Sequence, residues 1–159
     1  MHDKSVLDDL LNIISSSVGS LTNASKISKT FKSERQVSIS DETVSRYLDF
    51  FIDAFMIYKA ERYDVKGRKY IGSPLKYYFS DVGLRNARLN FRQQEENHIM
   101  ENIIYNELCN RDFSVDVGVV EYCYKDENKK SKRSQLEIDF VDNKGSKKYY
   151  IQSALTVSE

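Results

Sequence analysis

Two acidic residues near the C-terminus have the spacing of metal ligands. Glu137 and Asp139 are separated by one residue in LEIDFV, which alternates as a β-strand, so both side chains point to the same face. Carboxylate oxygens suit Mg²⁺, and a nearby lysine stabilises charge during phosphodiester hydrolysis. The returning strand, YYIQSAL, offers Gln152 and Ala154 on one face instead of an acid and a lysine. The pattern indicates either a metal site or the surface charges of an ordinary hairpin.

The preceding helix offers a third carboxylate. The stretch NFRQQEENHIMENIIYNELCNRDFSV predicts a long helix. Its expected apolar face consists of Ile99, Met100, Ile103, Ile104 and Leu108. Glu101 and Glu107 lie on the same helix, and a metal-dependent nuclease requires them to converge with the hairpin carboxylates. The alternative is that all of these acids are solvated surface residues.

A second set of candidates is basic and would contact nucleic acid. The start of the second helix of a helix-turn-helix meets base edges, which here places Thr43, Ser45 and Arg46 at the DNA. Asp41 and Glu42 precede them and would repel phosphate. The expected backbone contacts are Lys26, Lys29, Lys32 and Arg35 on the preceding helix, and Lys66, Arg68 and Lys69 in a hairpin turn. The alternative is an ordinary solvated face on a domain that packs against another domain.

A third charged stretch spans residues 124–135, with five basic and two acidic residues. Beside a nucleic-acid face this segment would contact phosphate. As a loop between two strands, it is more often simply mobile and solvated.

The elements that must position these residues fall into two groups. Three helices are expected before residue 56, with Asn23 capping the second and Ser40 capping the third. A β-hairpin with its turn at Gly67 follows, and three helices with a hairpin predict a winged helix at residues 1–85. Residues 86–159 then read as one helix and three strands, the start of an α/β unit. The predicted fold class is α/β (α+β).

Composition and the absence of certain motifs exclude several classes of function for this chain. The 24 basic and 24 acidic residues balance, so nucleic-acid binding must come from local patches. No phosphate-binding loop of the G-x-x-x-x-G-K-[ST] kind is present, which excludes ATP hydrolysis by this chain alone. With two histidines, a His-rich zinc site is excluded. No apolar run of membrane-spanning length and no signal peptide occur, so a cytoplasmic protein is expected.

Four stretches have a recognisable order. The first is SISDETVSRYLDFFIDAFMIYKAERYD. The second is GSPLKYYFSDVGLRNARL, which matches K-x-Y-x-x-D-x-G-L at Lys76, Tyr78, Asp81, Gly83 and Leu84. The third is MENIIYNEL, which matches E-N-x-V-Y-x-E-L at Glu101, Asn102, Tyr105, Glu107 and Leu108. The fourth is the hairpin of EIDFV and YYIQSAL. Together they resemble the C-terminal region of a prokaryotic AAA-type ATP-binding protein family.

The resemblance implies a winged helix followed by a truncated, restriction-endonuclease-like domain of the PD-(D/E)xK fold, at residues 86–159. It places the metal-binding glutamate at Glu101 and the aspartate at Asp139. The E-x-K pair falls on Gln152 and Ala154, where this sequence departs from the pattern. The resemblance therefore implies a nuclease-like fold with a degenerate site (Glu101, Asp139, Gln152) that does not cleave.

The expected function is a DNA- or partner-binding, regulatory module of a cytosolic AAA-type ATPase. ATP and magnesium would belong to the ATPase module, and this chain would need no cofactor of its own. The expected partners are DNA, the ATPase module or a second copy of the chain, and not a membrane. Two alternatives stay open: a metal-dependent nuclease, and a protein-interaction or oligomerisation module.

Overall fold

The computed structural model of the protein describes residues 2–92, 95–125, 127 and 130–156. Over these residues the fold is a mixed α+β arrangement, as the sequence predicts. The helices are α1 (His2–Ser16), α2 (Ala24–Thr30), α3 (Asp41–Asp53), α4 (Val82–Arg88) and α5 (Glu96–Asn110), with a π-helical segment at Phe31–Arg35. The strands are β1 (Ile57–Asp64), β2 (Lys69–Phe79), β3 (Ser114–Lys125), β4 (Ser131–Lys144) and β5 (Lys147–Ile151).

The second and third helices begin at their predicted caps. The Asn23 side chain accepts a hydrogen bond from the Lys26 N–H at 2.8 Å, which caps α2. The Ser40 hydroxyl accepts one from the Thr43 N–H at 3.1 Å, which caps α3. Both predicted caps are confirmed. The helices share an apolar core that includes Leu10, Ile14, Ile27, Phe31, Val44 and Leu48.

The five strands form one sheet in the order β2-β1-β3-β4-β5. β1 and β2 are an antiparallel hairpin, and β1 also runs parallel to β3, from Arg62 opposite Val117 to Asp64 opposite Val119. β3, β4 and β5 continue as an antiparallel meander. The hairpin predicted as a wing is thus part of a sheet that extends past residue 85. The division into residues 1–85 and 86–159 stays a prediction.

Helix α5 packs on the sheet through polar side chains. Its buried residues are Glu101, Asn102 and Tyr105. The Asn102 side chain accepts a hydrogen bond from the Phe79 N–H at 2.8 Å and donates one to the Phe79 carbonyl at 2.7 Å. These two bonds hold α5 beside the end of β2 and satisfy a buried amide that would otherwise cost free energy.

The predicted apolar face of α5 is wrong in part. Ile104 and Leu108 do pack against the core, but Ile103 is 54% exposed. The physical reason is the pair of hydrogen bonds described above, which turns the polar side of the helix toward β2. The spacing of hydrophobic residues alone cannot predict hydrogen bonds of this kind. No helix in the described ranges combines the length and apolar character that crossing a membrane requires.

Asp142 on β4 is a buried carboxylate without a hydrogen-bond partner among the described residues. Burial raises its pKa from 3.8 to about 6, and the charge of nearby Asp116 adds to that effect. Because the folded protein holds this proton more tightly than the unfolded chain, folding is penalised progressively as the pH rises from about 4 to about 6. Above that range the penalty is complete.

Replacing Asp142 with Asn should stabilise the protein above pH 6, because the isosteric amide carries no charge to bury. The expected gain in the free energy of unfolding is about 1–3 kcal/mol, fading as the pH falls toward 4. Urea unfolding at about pH 7.5 and about pH 4.5 measures it. The matched control is Asp53→Asn, an exposed aspartate. A gain that stays the same at both pH values would contradict the assignment.

Candidate functional site

Three carboxylates from two elements meet at the face of the sheet. Glu101 comes from α5, and Glu137 and Asp139 come from β4. One oxygen of each lies within 4.8 Å of the others. Glu101 and Asp139 are buried, whereas the Glu137 side chain is 35% exposed, so the cluster opens to solvent on the Glu137 side. Glu107, the other helix candidate, is exposed and pairs with Arg111 instead.

A buried lysine sits among these carboxylates. Lys76 Nζ lies 2.6 Å from Glu101 Oε1 and 2.7 Å from Glu137 Oε1, and its side chain is 5% exposed. Burial lowers the pKa of Lys76, but Glu101 and Glu137 together outweigh that effect, so the pKa is raised and the ammonium stays charged. We call Lys76, Glu101, Glu137 and Asp139 the carboxylate–lysine cluster.

Lys76 was matched only as part of the K-x-Y-x-x-D-x-G-L motif, although one further feature of the sequence distinguishes it. It is a charged residue inside PLKYYF, a strand segment that is otherwise mostly apolar and aromatic. In the fold it lies on β2, opposite Ala60 of β1. Because β1 and β3 lie between β2 and β4 in the sheet, a contact between side chains of β2 and β4 could not be inferred from the sequence.

Two residues support Glu101 from the N-terminal half. The Tyr78 hydroxyl donates to Glu101 Oε1 at 3.1 Å, and burial, followed by the charge of Glu101, raises the pKa of Tyr78, which keeps it a donor. Gly19 has φ +69°, and a side-chain carbon there would lie 2.9 Å from Glu101 Oε2. A glycine is therefore required both for the backbone conformation and for the close approach of the carboxylate.

Asp139 is oriented by the segment that follows β5. Its Oδ2 accepts hydrogen bonds from the Ser153 N–H at 2.7 Å and from the Ser153 hydroxyl at 2.6 Å. Gln152 and Ala154, the predicted positions of the E-x-K pair, are both exposed. Ser153, which lies between them, is the residue of this segment that contacts the cluster. Sequence reasoning treated it only as a spacer.

The cluster has the formal charge of a site for a dication. Three carboxylates and one ammonium leave a net charge of −2. Hard oxygen ligands with this charge suit Mg²⁺ or Mn²⁺. The ammonium in the same cluster supplies positive charge that can stabilise an anionic oxygen.

The predicted nucleic-acid residues lie elsewhere. Lys26, Lys29, Lys32 and Arg35 are exposed on α2 and the π-helical segment. Arg35 pairs with Asp9 at 3.1 Å, and Lys26 donates to the Leu21 carbonyl at 3.1 Å. Their role in DNA binding stays a prediction.

The other predicted contacts lie on α3 and on the β1–β2 turn. Thr43 is half-buried next to its cap, while Ser45 and Arg46 are exposed. The Arg46 guanidinium stacks 5.6 Å from the centre of the Tyr47 ring. Lys66, Arg68 and Lys69 are all exposed at the turn and the start of β2.

Comparison with known proteins places the chain in a family. Residues 1–95 match the family described as a domain of unknown function, DUF8612. The chain belongs to this family. A protein of Haemophilus influenzae, described as an uncharacterized protein, is 36% identical over 159 residues, which are 100% of this chain and 36% of that protein. The chain therefore spans about a third of the length of the curated relative that it matches. No solved structure matches it.

The matched DUF8612 region contains one of the four residues of the carboxylate–lysine cluster, together with two residues that support Glu101. It holds Lys76, Tyr78 and Gly19, which lie in the N-terminal 95 residues. The three carboxylates lie beyond it. The lysine of this DUF8612 chain thus receives its counter-charges from a part of the chain outside the family match.

Replacing Lys76 with Met should destabilise the protein by about 3–5 kcal/mol, because Glu101 would keep a buried charge without its cation. Adding Glu101→Gln should recover part of the loss, since the second change removes the stranded charge. Urea unfolding of the two single variants and the double variant measures the coupling. The matched control, Lys59→Met on the neighbouring strand, removes a lysine that is 42% exposed and should change stability by less than about 1 kcal/mol. Equal losses for Lys76 and Lys59 would rule out a dominant buried pair.

Proposed function

We propose that this DUF8612 chain is a nucleic-acid-processing module of a longer AAA-type ATPase, and that its carboxylate–lysine cluster performs divalent-cation-dependent phosphodiester cleavage. The observation that carries the proposal is the position of Lys76, whose ammonium lies 2.6 Å and 2.7 Å from two of three convergent carboxylates. Carboxylates that bind a hard cation, together with one lysine, are the groups that this hydrolysis requires.

In the sequence, the argument against cleavage was that Gln152 and Ala154 replace the E-x-K pair. Lys76 offers the missing ammonium from β2, and Glu137 offers a second hairpin carboxylate next to Asp139. The chemical groups of the expected site are thereby present, although they come from different sequence positions. For this reason we favour cleavage over the retained fold without cleavage.

The residues of the cluster fit a bound dication. Asp139 is held by Ser153 through Oδ2 alone, and Glu137 is the carboxylate open to solvent. These two would hold the cation, with Glu101 as the third ligand. The bound Mg²⁺ would polarise the phosphate and lower the pKa of a water molecule.

The protein groups then have separate tasks. Lys76 keeps its proton and places a positive charge beside the reacting phosphate, where charge develops in the transition state. Tyr78 and Lys76 both donate to Glu101 Oε1, which fixes that carboxylate in one orientation. Burial of Lys76 and Glu101 strengthens these interactions relative to water.

A second candidate function is binding without cleavage, as a regulatory module of the ATPase. One observation favours it: Lys76 already contacts an oxygen of both Glu101 and Glu137, so it can serve as a permanent substitute for a cation. DNA would then be bound by the basic residues of α2, α3 and the β1–β2 turn. ATP and magnesium would act in the ATPase module, and that module or a second copy would be the partner.

Titration with Mn²⁺ separates the two candidates. Cleavage requires saturable Mn²⁺ binding by the protein, measured calorimetrically, and a loss of at least about tenfold in affinity in Asp139→Asn. The same variant should abolish Mg²⁺- or Mn²⁺-dependent cleavage of a single-stranded oligonucleotide, because one ligand charge is lost. Asp53→Asn is the matched control and should behave as wild type. If the wild-type protein binds no Mn²⁺ and cleaves nothing, the binding module replaces the nuclease.

A further inference from the structure

The β3–β4 hairpin extends beyond the rest of the sheet. Pairing between the two strands continues to Lys125 opposite Ser131. The pairing of β1 with β3 reaches only Val119, and that of β5 with β4 begins at Phe140. Residues 121–125 and 131–136 therefore form a two-stranded projection about 16 Å long, which we call the β-arm. Residues 126, 128 and 129 of its connection lie outside the described residues.

One face of the β-arm is aromatic. Strand alternation places Tyr122 and Tyr124 on the same face, with their ring centres 6.0 Å apart. Tyr122 is 39% exposed and Tyr124 is 45% exposed. A core tyrosine would be covered by neighbouring elements, but no third strand flanks this part of the hairpin in the described sheet. The two rings therefore face solvent, with their planes tilted by 34° to each other.

The described part of the β-arm is also basic. Its exposed cations are Lys125, Lys132 and Arg133, against one acid, Glu121, and the described residues of its connection add Lys130 and Glu127. Glu121 accepts a hydrogen bond from Gln135 at 2.8 Å, so that acid is already engaged within the arm. In a chain whose total charge is zero, this local excess of positive charge attracts a polyanion.

The base of the β-arm meets the β1–β2 turn. A groove of about 610 Å³ is lined by Lys66 of the turn and Arg133 of the arm. Asp64, which also lines it, accepts hydrogen bonds from the N–H groups of Lys66 and Gly67. Along β4, Gln135 and Glu137 lie on one strand face, whereas Tyr122 and Tyr124 pair with Ser134 and Lys132 and lie on the opposite face.

We propose that the β-arm binds single-stranded nucleic acid. Bases stack on Tyr122 and Tyr124, and phosphates contact the basic side chains of the arm and Lys66. Aromatic stacking requires unstacked bases, which a single strand offers and a duplex does not. The proposal goes beyond the proposed function, because Tyr122 and Tyr124 lie on the strand face opposite to that of Glu137 and binding there does not require cleavage.

Fluorescence anisotropy tests the aromatic face with a labelled oligothymidine of roughly 20 nucleotides, at low salt and in EDTA. We expect Tyr122→Ala and Tyr124→Ala each to weaken binding roughly tenfold, because each removes one stacking platform. Tyr150→Ala on β5 is the matched control, since Tyr150 is 54% exposed and lies off the arm. A duplex of the same length should bind at least about tenfold more weakly. Duplex binding as tight as that of the single strand would overturn the assignment.

Charge variants test the basic side chains against the other basic surface. We compare Lys125→Gln/Lys132→Gln/Arg133→Gln with Lys26→Gln/Lys29→Gln/Lys32→Gln, which removes the same number of charges from α2 and its π-helical extension. The arm variant should flatten the dependence of log affinity on log salt by about 2, while the helical variant leaves it unchanged. The reverse result would contradict the proposal and favour the α2 surface.

These measurements use no metal, so they are independent of cleavage. Wild-type binding in EDTA without Mn²⁺-dependent cleavage would leave the β-arm standing and remove the nuclease. Mn²⁺-dependent cleavage in a protein whose binding in EDTA is unaffected by the tyrosine and charge variants would keep the nuclease and overturn the β-arm proposal. No binding at low salt overturns the β-arm proposal directly.

Discussion

The structure depends on burying one ammonium group among carboxylates from distant parts of the chain. Lys76 on β2 is paired with Glu101 on α5 and with Glu137 on β4, so a single side chain joins an edge strand, a helix and the fourth strand of the sheet. Two buried charges are costly to remove from water, and the cost is recovered only when geometry and hydrogen bonding are good. That geometry depends on the hydrogen bond from Tyr78 to Glu101, on the space that Gly19 leaves for the Glu101 carboxylate, and on the close approach of α5.

The same constraint explains why α5 is packed in an unusual way. A helix that must bring Glu101 to Lys76 and Asn102 to the Phe79 backbone has to turn its polar side inward. Its isoleucines are then distributed between the core and the surface, as Ile104 and Ile103 illustrate. Leaving the Phe79 N–H and carbonyl buried without a partner would cost about 1–3 kcal/mol each, which is comparable with the roughly 1.5–3 kcal/mol gained by burying one aliphatic side chain.

Local signals in the sequence were sufficient for the parts of the fold that depend on neighbouring residues. The caps at Asn23 and Ser40 follow from side chains that bond three positions along the chain, so they could be predicted. The convergence of Glu137 and Asp139 with Glu101 could be suggested from strand alternation and the motif order. The role of Lys76 could not, because it depends on a fold-level contact between strands that do not pair. Ser153 was missed for a similar reason, since its partner is 14 residues away.

The parallel pairing of β1 with β3 joins the N-terminal and C-terminal parts of the chain in one sheet. Of the ladders in the sheet it is the one that joins strands on either side of residue 95, where the family match ends. A polypeptide ending at that residue would leave β1 with an open edge of unpaired backbone groups, a template for association with other chains. It would also leave Lys76 without Glu101 and Glu137. The boundary of the family match in sequence therefore does not coincide with an edge of the sheet, because strand pairing and the ion pairs of Lys76 both cross it.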